Sequence, residues 1–66
     1  MKKEEFYYEV HVFVNRNEGY GKPVKSNKKL NDDEVIKLAV ELDIITQDEA
    51  DMVDYVEPLT EEEFNN

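Results

Sequence analysis

The chain has 66 residues, a formal net charge of −9 and no cysteine. That length supports one domain spanning residues 1–66, which buries only roughly 60% of the surface its unfolded chain exposes. The missing cysteine excludes disulfide staples and thiolate metal sites, and no segment reaches the ~20 apolar residues of a helical membrane span.

Met1-Lys2-Lys3 is followed by the acids Glu4 and Glu5 rather than an apolar run. This is unlike a signal peptide, and the expectation is a soluble, cytoplasmic protein. The charge is unevenly spread: residues 1–29 carry seven bases against four acids, whereas residues 30–66 carry Lys37 alone against thirteen acids. Free nucleic acid is a poor partner for such a chain, because binding it relies on neutralising phosphates with basic side chains. A basic protein is a better one.

Taken in order, residues 5–14 alternate strictly: Phe6, Tyr8, Val10, Val12 and Val14 make one apolar face. β-Branched and aromatic residues at period two predict a long strand. Its opposite face holds Tyr7, Glu9, His11 and Phe13 and is expected to meet solvent or another surface. Asn15 to Gly21 has turn chemistry, with Asn and Gly residues that tolerate positive φ. Residues 22–27 predict a short edge strand around Val24, because Pro23 lacks an N–H and neighbouring lysines discourage aggregation. The two strands read as an antiparallel hairpin.

The best-specified segment runs from Asn31 to Ile45 and predicts a helix over residues 32–44. Asn31 and Glu34 stand at capping-box spacing, and Asp32 and Asp33 place negative charge on the first turn, where the helix dipole favours it. Val35, Leu38, Ala39, Leu42 and Ile45 recur at helical spacing as the face that packs on the strand. Leu30, just before the cap, is positioned to staple onto Val35.

Thr46 and Glu49 repeat the capping-box spacing and predict a helical turn over Gln47–Asp51. A third strand over residues 52–57 follows, rich in Val and Tyr; a short helical face through Ala50, Val53 and either Tyr55 or Val56 remains an alternative. Pro58 is expected to end either element. Thr60 with Glu63 makes a third capping-box pair, with Phe64 placed to dock on the core and Asn65 and Asn66 expected to fray. The fold class is therefore α+β: a hairpin packed on one main helix, then a short acidic C-terminal element.

Chemistry-bearing motifs are few. His11, the only histidine, reads as a polar residue of the outer strand face, because only carboxylates are present to join it as ligands. The acids around Asp32 and Asp48 match no calcium loop, which needs ligands at fixed steps and a central glycine. Gly19-Tyr20-Gly21-Lys22 lacks the spacing and following helix of a phosphate loop. With no cysteine, and Ser26 among lysines, nucleophilic catalysis has little to work with. The expectation is a non-catalytic protein without metal or cofactor.

The acidic C-terminal part carries the functional expectation. Asp48, Glu49, Asp51, Asp54, Glu57, Glu61, Glu62 and Glu63 form a candidate protein-binding surface that imitates nucleic-acid phosphates and attracts a basic, nucleic-acid-binding partner. The plainer alternative is that these acids serve only solubility. A further alternative is a homodimer, with the lysine segment of one copy meeting the acids of another around Tyr7 and Phe13. In style, a composition rich in Lys, Asn, Glu, Tyr and Ile without Cys or Trp resembles short reading frames of low-GC Gram-positive bacteria and their phages, which implies a small regulator or inhibitor.

Overall fold

In the computed structural model, which describes residues 4–65, the alternating stretch becomes β1 (Phe6–Asn15), the central strand of a three-stranded antiparallel sheet. β2 (Glu18–Ser26) pairs on one side and β3 (Val53–Leu59) on the other. Between them in sequence come α1 (Asp32–Glu41) and α2 (Gln47–Ala50), and α3 (Glu61–Asn65) closes the chain. The expected α+β architecture is present, including the third strand. Asn66, part of the expected fray, lies outside the described residues, whereas Asn65 is helical.

The even face of β1 meets the helices. Tyr8, Val10 and Val12 are buried there with Val24 of β2, Val35 and Ala39 of α1, and Ile45. Val14 does not join them: a register shift between Phe13 and Asn15 bulges the strand, and Val14 is exposed. Tyr8 buries its ring while its hydroxyl oxygen accepts the Leu30 N–H at 3.0 Å. That bond ties the entry of α1 to the sheet, with Leu30 packed against the same cluster as Val35.

β2 begins earlier than the lysine segment implied. The turn contracts to Arg16-Asn17, and the Asn17 N–H donates to the Asn15 side chain at 2.9 Å. Gly19 and Gly21 therefore lie inside a strand rather than in a loop, and neither has positive φ. Pro58 likewise does not end β3, which continues to Leu59. The register explains why. Pro23 faces Glu9 and Pro58 faces Tyr8, on opposite sides of the central strand. Successive residues of a central strand send their N–H and C=O to opposite neighbours. One alternation thus turns both proline nitrogens outward, where a missing donor costs no ladder bond.

All three capping boxes form. Asn31 accepts from Glu34 N–H while Glu34 accepts from Asn31 N–H, and the pairs Thr46–Glu49 and Thr60–Glu63 repeat the exchange. α1 stops three residues before the expected end. Asp43 adopts φ 60°, and the N–H groups of Asp43 and Ile44 donate back to Val40 and Ala39, a Schellman closure with Asp in the usual glycine position. The reversal drops Ile45 into the core but leaves Leu42, expected on the packed face, 54% exposed.

Candidate functional site

The sheet sorts the charges by edge. β2 and the loop after it, residues 18–30, carry Lys22, Lys25, Lys28 and Lys29 against Glu18. Residues 47–65, comprising α2, β3 and α3, carry eight acids and no base. β2 and β3 are the two outer strands, so a basic edge and an acidic edge flank the same central strand.

The eight acids do not form one compact cluster. Asp48, Glu49 and Asp51 sit at the end of the sheet near Val12 and Tyr20, while Glu61, Glu62 and Glu63 sit beyond Leu59 at the other end. β3 separates the groups by roughly 20 Å of extended chain. Asp54 and Glu57 lie along that strand and are exposed. The arrangement is an acidic ridge running the length of one sheet edge.

Four ridge acids have internal work, one of them Asp51, whose Oδ1 accepts from the Gln47 side-chain amide at 3.5 Å. Glu49 and Glu63 close capping boxes. Glu49 also accepts a hydrogen bond from the Tyr20 hydroxyl, which tethers α2 to β2. That hydroxyl, then the Thr46 backbone N–H, holds the Glu49 carboxyl below its usual pKa, and the same contact with Glu49 pushes the Tyr20 phenol up. Lys22 lies 5.6 Å from the Tyr20 ring centroid, a cation–π position over the same corner. Glu57 turns onto the outer face toward His11. Asp48, Asp54, Glu61 and Glu62 are exposed along the ridge.

The outer face of the sheet holds a second constellation. Register places Glu9 opposite Glu57 and His11 opposite both Tyr55 and Gly21. His11 Nε2 is 3.2 Å from Glu9 Oε1 and 3.1 Å from Glu57 Oε1. The Tyr55 ring stacks on the imidazole at 4.2 Å with 15° between planes. Among the described residues, Glu9, His11 and Glu57 are the group whose ligand atoms lie close enough to hold a metal ion, all within 4.8 Å of one another. The sequence shows Glu9 and His11 two apart, but Glu57 arrives only through the β1–β3 register. Anticipating the trio required pairing residues 46 positions apart.

Elsewhere on this face the apolar expectation divides. Tyr7 is covered by Phe64 of α3, with ring centroids 4.8 Å apart. Desolvation, then the hydrogen bond to Glu5, raises the Tyr7 pKa. Phe64 thus docks on the outer face instead of the helix-side core. Phe13 and Tyr55 are each 51% exposed beside a shallow recess of about 240 Å³ that also touches His11 and Asp54.

Among the described residues, no helix is long and apolar enough to cross a membrane. Fold and surface together define a small α+β domain with an antiparallel sheet whose core face packs on α1, whose outer face meets α3 at one end, and whose edges are sorted by charge. Comparison with protein families, with curated proteins and with solved structures finds no match for this chain.

Proposed function

We propose that this is a non-catalytic, cytoplasmic protein that binds a basic protein through the acidic ridge, as a small regulator or inhibitor of a nucleic-acid-binding partner. The observation that carries the reading is the placement of eight acids and no base along α2, β3 and α3, with the lysines gathered on the opposite edge. A ridge of one sign steers an oppositely charged partner and orients it toward one side of the molecule. Its length of roughly 20 Å follows from the rise per residue of β3, and exposed carboxylates strung along an edge imitate a phosphate backbone better than a round patch does.

The test is capture of basic proteins from an extract of the source cells at low salt, followed by elution with duplex DNA. The reading expects retained nucleic-acid-binding proteins that DNA displaces, and loss of retention when Asp48→Asn, Asp54→Asn, Glu61→Gln and Glu62→Gln are combined. Retention that survives the combined variant, or no basic protein at low salt, removes its support. A second reading, self-association, draws on the half-exposed pair Phe13 and Tyr55. It expects twice the chain mass by light scattering, reduced by Phe13→Asp. A monomer at high concentration refutes it.

A further inference from the structure

The geometry points to a divalent transition-metal site, of the zinc class, formed by Glu9, His11 and Glu57 on the outer face of the sheet. The ligand chemistry is suited to such an ion: one imidazole nitrogen and two carboxylates are a borderline donor set, which zinc accepts, whereas even two bidentate carboxylates fall short of the six to eight oxygens that calcium takes. The spacing is suited as well. With metal–ligand bonds of about 2.0–2.1 Å, neighbouring ligands of a tetrahedral ion are about 3.3 Å apart. His11 Nε2 stands 3.1 and 3.2 Å from the two carboxylate oxygens.

As a purely protein arrangement the trio is poorly matched. Glu9 and Glu57 face each other directly across the β1–β3 pair, and like charges in that relation repel. Both converge on one ring nitrogen, which presents a single N–H or a single lone pair and serves one carboxylate well at the expense of the other. A divalent cation between the three removes both defects: it takes the lone pair of Nε2 and neutralises the opposed carboxylates. A fourth position would be filled by water.

Two neighbours shape the site. Tyr55 stacks on the imidazole and fixes its plane. Gly21, opposite His11, supplies the space into which Glu9 leans: a Cβ at position 21 would lie 2.6 Å from Glu9 Cδ. The atom displaced would belong to a flexible carboxylate, so Gly21→Ala is accommodated by moving Glu9 away. This variant separates the site from the fold.

Titration of the untagged full chain with Zn²⁺ alone, followed by the His11 ring resonances, tests the proposal; the chain has no other histidine. The expected result is a His11 Nε2 shift that saturates at one equivalent, unaffected by excess Ca²⁺. Glu9→Gln, Glu57→Gln and Gly21→Ala should each weaken binding at least tenfold, with far-UV spectra unchanged. Asp51→Asn, on the ridge but away from the site, should bind as the parent chain does. No His11 shift at tenfold excess Zn²⁺, competition by Ca²⁺, or equal weakening by Asp51→Asn would overturn the assignment in favour of diffuse attraction to surface carboxylates.

Discussion

β1 has two faces that differ in almost every physical respect. Inward, Val10 and Val12 are essentially solvent-free and belong to the apolar core cluster. Outward, Glu9 and His11 are partly exposed, charged or polar, and held by Glu57 and Tyr55 from the neighbouring strand. The inner face is specified mainly by volume and hydrophobicity, with the Tyr8 hydroxyl as its one polar tie. The outer face is specified by chemistry, and that chemistry is expected to contribute little to folding. Residues one position apart on this strand should therefore answer to different measurements.

The sharpest contrast pairs Val10→Ala with His11→Ala. A domain of this length has a total stability of roughly 3–10 kcal/mol. Val10→Ala opens space at a fully buried position and should cost about 2–3 kcal/mol, seen as a large drop in the urea midpoint. His11→Ala removes a partly exposed side chain between two acids and should stay within about 0.5 kcal/mol. If His11→Ala proved as damaging as Val10→Ala, the outer trio would be structural and the division between the faces would fail.

A smaller effect is expected at the cap of α2. Thr46→Ala removes the acceptor for the Glu49 N–H and should cost about 1 kcal/mol. Ile45, just before the cap, is buried, and Ala50 packs against the same cluster, so the cap also positions an inner-layer contact. The loss should therefore appear in global unfolding as well as in hydrogen exchange of α2. Fraying of α2 alone, with an unchanged urea midpoint, would show that this corner is uncoupled from the core.

How far these features could be read from sequence follows the same division. The inner face was legible because alternation in β1 and helical spacing in α1 are local signals, and each capping box lies within four residues. The end of α1 was not, because Asp43 in the left-handed region replaces the glycine that would have announced it. Pro58 misled for a related reason: its effect depends on which way its nitrogen points, and only the pairing with Tyr8 decides that. The outer trio depends on register between distant strands, and the bulge between His11 and Val12 shifts that register near the site. The acids of the ridge were legible as residues, but not their division between the two ends of β3.

The unusual end of α1 offers a gain in stability. Asp43→Gly relieves the left-handed conformation of a residue with a Cβ and removes a negative charge from the helix terminus where the dipole is already negative. It should raise stability by about 0.5–1 kcal/mol, measured as a higher urea midpoint with unchanged slope. Asp43→Asn, which tolerates the same conformation and removes only the charge, should give part of that gain. An Asn variant equal to the Gly variant would mean that charge, not backbone geometry, dominates at this position.

The finest test concerns the corner where α2 meets β2. The Tyr20 hydroxyl, followed by the Thr46 backbone, depresses the pKa of the Glu49 carboxyl. A carboxyl whose folded pKa lies below its unfolded value contributes stability that is present above the unfolded pKa and lost as pH falls through the folded one. The Tyr20 phenol is shifted up, so its share has the opposite dependence and is lost only as pH rises through the alkaline range. Tyr20→Phe removes the donor but keeps the ring near Lys22. The Glu49 carboxyl carbon, titrated by NMR through the acid range, should then show a pKa moved up toward the ordinary carboxylate value. The shift should be incomplete, because the Thr46 N–H still donates to Glu49. An unmoved Glu49 titration would mean that the phenol is not held against the carboxylate in solution, and that α2 is fastened by its cap and by the packing of Ile45 and Ala50.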